Sequence, residues 1–142
     1  MGQTSRPGRV LGLDLGEARI GVALSDDDRR MAVPLGTIHT GAPADLQAVA
    51  KLVDEHAATT VVVGLPLSMS GERGSAAAKA DAFAEALRSS LVVPVELQDE
   101  RLSTVEAERG LREAGVTGRE RRKVVDRTAA TVILQAWLDA TR

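Results

Sequence analysis

The stretch Arg9-Val10-Leu11-Gly12-Leu13-Asp14-Leu15 runs through Gly16-Glu17-Ala18-Arg19 into Ile20-Gly21-Val22-Ala23-Leu24-Ser25. Two β-rich runs joined by so short a connection predict a β-hairpin. The polar turn Asp26-Asp27-Asp28-Arg29-Arg30 precedes a third run, Ala32–His39, so the chain is expected to open with a three-stranded antiparallel meander. Near the end of the first strand stands an aspartate, where burial penalises its charge unless a cation or hydrogen bonds compensate. Asp14 is therefore the first candidate for chemistry, although a lone Asp-x-Gly also fits an aspartate that caps the hairpin turn.

After Gly41 and Pro43 the period becomes helical: Leu46, Val49, Ala50, Val53 and Ala57 share one stripe and predict a first helix. Thr59–Val63, ending in Gly64, is a short apolar β-branched run, as expected of a strand buried on both faces. The loop Leu65–Gly74 leads to a second helix over Ser75–Leu91, with Ala76, Ala80, Phe83, Ala84 and Leu87 facing the core, and then to a fifth strand over Val92–Gln98. In the last third, Ser103 with Glu106 and Thr117 with Glu120 fit the capping box that satisfies free N–H groups at a helix start, and Gly115 ends the first of these helices. The predicted order is β-β-β-α-β-α-β-α-α without internal repeats, an α/β fold with a mixed five-stranded sheet and helices packed on it.

A chain of 142 residues closes one good core but not two, so residues 9–142 are expected to form a single domain behind a frayed tail at 1–8. Hydrophobic residues at 44% and charged residues at 27% exclude a disordered or fibrous chain. Phe83 and Trp137 are the only aromatics, which excludes a base-stacking surface. The lack of cysteine excludes disulfides and thiolate zinc sites and fits a reducing compartment. No apolar signal core opens the chain, and runs such as Val61–Val63 fall short of a membrane span, so a cytoplasmic protein without a membrane partner is expected. Met1-Gly2 fails as a myristoylation signal because position 6 is Arg6. The net charge of −2 argues against nucleic-acid binding by bulk electrostatics. Locally, however, Arg119, Arg121, Arg122, Lys123 and Arg127 outnumber two acids, a patch that fits either a solvated helix face or phosphate contacts.

Two further acids join Asp14. Gln98-Asp99-Glu100-Arg101 stands where the fifth strand ends, a usual position for ligand sites in α/β sheets. Successive strand residues point to opposite faces, so Asp99 and Glu100 cannot both aim at one ion without a kink, and which of them serves stays open. Asp126 continues the helical line Ala130-Ile133-Trp137 toward the sheet, unless it pairs with Arg122 or Lys123 one turn earlier. Three carboxylates from a first strand, a last strand and a last helix can converge, and all-oxygen ligation without His or Cys favours Mg²⁺ or Mn²⁺. Two such ions about 4 Å apart activate water and stabilise a leaving oxygen in phosphodiester hydrolysis.

Five segments carry a family resemblance: Gly12-Leu13-Asp14-Leu15-Gly16, Arg19-Ile20-Gly21-Val22-Ala23, Gly64-Leu65-Pro66-Leu67, Asp99-Glu100-Arg101-Leu102-Ser103-Thr104 and Lys123-Val124-Val125-Asp126. With Ala129-Ala130 and Ile133-Leu134-Gln135 after the last, the chain resembles the YqgF family, also called RuvX, in order and over residues 9–138. The resemblance implies an RNase H-like fold related to the RuvC Holliday junction resolvases, and a nuclease. Two activities go with it: maturation of the 5′ end of the small-subunit ribosomal RNA precursor, and cleavage of branched DNA. Carried over by position, the family's acids fall on Asp14, Glu100 and Asp126, and its Gly-Leu-Pro-Leu loop, Gly64–Leu67, is expected to border the substrate groove.

Many members of the wider superfamily carry an acid at the end of the fourth strand, where this chain has Val63-Gly64-Leu65-Pro66, so the fifth-strand segment must substitute. The cysteine through which some relatives dimerise is also absent, so a homodimer would be noncovalent. Arg19, Arg73, Arg101 and the patch containing Arg122 and Lys123 are candidate phosphate contacts. Ser103 is read as a helix cap, and Thr104 as either a cap or a substrate contact. His39 and His56 match no metal spacing. Two rival functions compete with the nuclease. A sugar-kinase or actin-like ATPase needs two such domains around its nucleotide, and Gly64–Ser75 lacks the ending of a P-loop. A noncatalytic nucleic-acid-binding protein would bind with steep salt dependence and cut nothing.

Overall fold

A computed structural model describes residues 7–67, 70–71, 74–102 and 128–141 of the chain. Strand β1 (Arg9–Leu15) turns at Gly16, whose N–H donates to the Arg19 carbonyl at 2.9 Å, into β2 (Arg19–Ser25), and β3 (Ala32–His39) completes the meander. Helix α1 (Ala44–His56), β4 (Ala58–Leu65), α2 (Ser75–Ser90) and β5 (Val95–Asp99) follow. A single 3₁₀ turn (Glu100–Leu102) ends β5, and α3 (Ala129–Ala140) is the last described helix. The sheet order is β3-β2-β1-β4-β5, with β1 antiparallel to β2 and parallel to β4, and β4 parallel to β5. Pro34 is accommodated because β3 lies at an edge, and the pairing there shifts register between Val22 and Ala23.

Alternation along the strands sorts side chains between two apolar layers. Leu11 and Leu13 of β1, Ile20, Val22 and Leu24 of β2, and Val61, Val63 and Leu65 of β4 pack with α1 and α2. Val10, Ala23 and Val62 point the other way and pack with Ala130, Ile133, Leu134 and Trp137 of α3. Among the described residues the sheet is therefore covered by two helices on one face and by α3 on the other, and the strand parity that reaches α3 includes positions 10, 12 and 14.

Several local expectations need correction. Ala57 is exposed and closes α1 in a left-handed conformation (φ 53°) instead of joining its apolar stripe. On α2 the inward positions are Ala77, Ala80, Ala84 and Leu87; Ala76 is exposed and Phe83 half-buried. β4 extends two residues past Val63, and β5 starts at Val95, because Val92 is fully exposed and Pro94 has no N–H to give. Thr128 is extended and caps α3, its Oγ1 accepting from the Thr131 N–H at 3.2 Å. The helix starts at Ser103 and Thr117 lie outside the described residues, as do Asp126, Thr104, Arg73, Arg122 and Lys123.

The end of the sheet opposite the β1–β2 turn is fastened by Arg29. Its Nε donates to the Gly8 carbonyl (2.8 Å), and its Nη2 donates to the Pro7 carbonyl (3.1 Å), Thr59 Oγ1 (3.1 Å) and Thr60 Oγ1 (3.2 Å). The guanidinium also lies 5.5 Å from the centroid of the Trp137 ring, whose Nε1 donates to Glu96 Oε1 at 3.3 Å. Pro7 and Gly8, expected in a frayed tail, are thus tied to β4 and α3.

Candidate active site

Three glycines lie where α3 crosses the sheet, and at two of them, Gly12 and Gly64, the approach is too close for a side chain. A Cβ on Gly12 would stand 2.8 Å from Leu134 Cβ, and one on Gly64 would stand 2.7 Å from Ile133 Cδ1. At Gly21 the nearest atoms would be Ala130 Cβ at 3.6 Å and Asp14 Cβ at 3.8 Å. Asp14 pairs with Gly21 across β1 and β2, and half-buried, it shares the α3-facing parity of Val10 and Gly12. On its other side the β1–β4 register ends at Leu13 opposite Val63, which makes Gly64 the next position beside Asp14. The aspartate is therefore flanked by residues without side chains.

Glu100 reaches the same ground from the other strand. Its Oε2 lies 3.1 Å from where a Gly64 Cβ would be, and its Cδ 3.5 Å. The 3₁₀ turn that ends β5 carries the glutamate there, and Gly64 sits opposite Gln98 in the β4–β5 pairing. The carboxylate occupies space that any larger residue at position 64 would fill. Asp99 instead pairs with its neighbour Arg101. Its Oδ2 accepts from Arg101 Nη2 at 2.7 Å, and its Oδ1 accepts from the Arg101 N–H at 2.9 Å. The side-chain hydrogen bond from Arg101 holds the Asp99 carboxyl below the usual carboxylate range, against the opposing effect of burial. Of the two adjacent acids, Glu100 is the one that the fold turns toward Asp14's neighbour.

A cavity of about 160 Å³ opens beside Glu100. The hairpin contributes Leu15, Gly16 and Glu17; the end of β4 contributes Gly64 and Pro66. The first turns of α2 complete it with Ser75, Ala76, Lys79 and Ala80. Gly64 and Pro66 thus border a depression next to an acid, whereas Leu65 is buried in the core beneath. Arg19 is exposed at the start of β2. The Arg101 guanidinium, besides holding Asp99, approaches to within 3.2 Å of where a Gly71 Cβ would stand, so it braces the loop after β4. Lys79 is not legible from the sequence as a site residue, because a lysine on an alanine-rich helix reads as a solvated face. The glycines leave a faint signal, since Gly12, Gly21 and Gly64 interrupt strands where side chains are otherwise favoured.

The fit of a divalent cation can be judged from donor chemistry. Asp14 and Glu100 supply carboxylate oxygens beside a glycine that leaves room, a donor set suited to a hard ion. Among the described residues no group of three or more acids or histidines is gathered, and the third expected acid, Asp126, lies outside them.

The model of the RuvX family, described as a Holliday junction resolvase, matches residues 8–140. The chain belongs to the RuvX family. Among the relatives of this RuvX chain, one from Anaeromyxobacter sp. (strain Fw109-5) is 56% identical over 132 residues, covering 92% of this chain and 96% of its own. One from Myxococcus xanthus (strain DK1622) is 51% identical, covering 94% and 89%. Both are named as candidate pre-16S rRNA nucleases. Among solved structures, Thermus thermophilus RuvC in complex with a Holliday junction substrate superposes with a TM-score of 0.56 at 17% identity, covering 94% of this chain and 95% of RuvC. The five-stranded mixed sheet is accordingly of the RNase H-like type. As a RuvX protein the chain is a nuclease, a hydrolase acting on nucleic acid, and divalent-metal dependence is general among nucleases of this kind. No helix among the described residues is long and apolar enough to cross a membrane.

Proposed function

We propose that this RuvX chain hydrolyses phosphodiester bonds with Asp14, Glu100 and Asp126 as its metal-holding acids, and that its physiological reaction is maturation of the 5′ end of pre-16S rRNA in the cytoplasm. The observation that carries the proposal is the placement of Asp14 and Glu100 beside Gly64, one from β1 and one from the turn after β5. Mg²⁺ or Mn²⁺ bound there would activate a water and stabilise the leaving oxygen. The protein's own part is to fix the carboxylates at one end of a rigid sheet and to exclude bulk water from the α3 side, where Ile133 and Ala130 close over the glycines. Arg19, Arg73, Arg101, Thr104, Arg122 and Lys123 are assigned to the nucleic acid, with the backbone of Gly64, Leu65 and Pro66 at the groove's border. The names of the relatives at 56% and 51% identity support the RNA substrate.

A second substrate, branched DNA, is favoured by the family description and by the likeness in fold to RuvC. Resolving a four-way junction takes two matched cuts, which suits a symmetric noncovalent homodimer; trimming an RNA end does not need one. The test incubates wild type and Asp14→Asn with a small-subunit ribosomal precursor and with a four-way junction, each with Mg²⁺, Mn²⁺ or EDTA. The expected result is metal-dependent cleavage of the precursor by wild type and at least a hundredfold loss in Asp14→Asn. Equal product from both proteins would end the catalytic assignment and leave a protein that only binds nucleic acid.

A further inference from the structure

Among the described residues, one basic residue that the catalytic assignment does not use lines the cavity beside Glu100. Lys79 lies on the first turns of α2 and lines the cavity with Ser75, Ala76 and Ala80, three residues too short to reach across it. Among the described residues it is the only positive charge in the lining, and it makes no hydrogen bond or ion pair there, although Glu17 and Glu100 line the same space. At about 160 Å³ the space is below the roughly 300–1,000 Å³ of pockets that enclose a small organic ligand. No aromatic side chain lines it, so an extruded base would find no stacking partner. A backbone phosphate is smaller, needs no stacking face and is well matched by the point charge of an ammonium group.

We infer that Lys79 is a positioning residue that holds a backbone phosphate next to the bond being cut, with Glu17 on the opposite wall limiting the path of the strand by repulsion. The inference rests on the nuclease assignment and deepens it: the substrate is gripped on the α2 side of Glu100 through its backbone and without regard to sequence. A phosphate contact of this kind contributes to binding more than to the chemical step, and its loss removes about one unit from the salt dependence of affinity.

The test compares wild type, Lys79→Ala, Lys79→Gln, Lys79→Arg and Glu17→Gln, with Lys51→Ala on α1 as a distant control. Cleavage of the ribosomal precursor and of the four-way junction is measured with Mg²⁺, and binding of both in EDTA is measured over a salt series. Lys79→Ala and Lys79→Gln are expected to raise KM about tenfold with kcat within about twofold. Their log–log salt slope should be shallower by about one, and Lys79→Arg should restore both quantities. Glu17→Gln should lower KM, and Lys51→Ala should change nothing. An unchanged KM and slope in Lys79→Ala, a fall in kcat alone, or an equal loss in Lys51→Ala would each overturn the inference. If wild type binds but never cleaves, the nuclease assignment fails while the salt slope still decides the role of Lys79.

Discussion

A methyl group on Gly64 would stand 2.7 Å from Ile133 Cδ1 and 3.1 Å from Glu100 Oε2, so Gly64→Ala should disturb the core and the site at once. Overpacking of this kind destabilises by roughly 1–3 kcal/mol, and displacement of the carboxylate should lower kcat at least tenfold, about 1.4 kcal/mol of barrier. Gly12→Ala is the matched control, because the atoms nearest its methyl would all belong to Leu134. It should lose similar stability in urea melts while keeping kcat at 25 °C within about threefold, a contrast rooted in packing. Neighbouring Asp99 allows a pH prediction. Its carboxyl titrates lower in the folded chain than unfolded because Arg101 holds it, so the pair stabilises the fold above the ordinary carboxylate range and loses that contribution as acid protonates Asp99. Arg101→Met should therefore narrow the drop in urea midpoint between pH 7 and pH 3 relative to wild type; an identical drop would show that the pair plays no part.

At the scale of elements, α3 depends on a cap that the sequence pattern does not reveal. Thr128 accepts from the Thr131 N–H, and Thr128→Ala should lower the unfolding free energy by about 0.5–2 kcal/mol, read as a fall in Tm. The capping boxes at Ser103 and Thr117 draw attention elsewhere, and a mid-run threonine before Ala129-Ala130 looks like ordinary helix interior. The meander, by contrast, is legible to the residue for β1 and β3, since apolar runs bounded by Gly16 and by the Asp26–Arg30 turn leave little freedom. Elements whose ends depend on tertiary contact are less so: β4 gains Gly64 and Leu65 from pairing with β5, and β5 loses Val92 to solvent. Asp14 and Glu100 can be singled out because charge at strand ends is conspicuous. That Glu100, and not Asp99, turns toward Gly64 requires the 3₁₀ turn, which no periodicity announces.

For the molecule as a whole, Trp137 is the one tryptophan, buried in the α3 layer against the sheet. Its fluorescence therefore reports the docking of α3. In a urea titration, fluorescence, far-UV ellipticity and nuclease activity should be lost in one coincident transition; activity surviving the fluorescence change would mean that α3 is dispensable to the site. The location of this helix in the sequence has an effect on when the enzyme comes into being. During synthesis, Asp14 on β1 and Glu100 just after β5 leave the ribosome well before residues 129–140, so the acids stand beside a sheet that lacks its α3 cover until that helix arrives. If α3 is needed for the site, a nascent chain is expected to be inert, with cutting power deferred until the polypeptide has sealed its own second face.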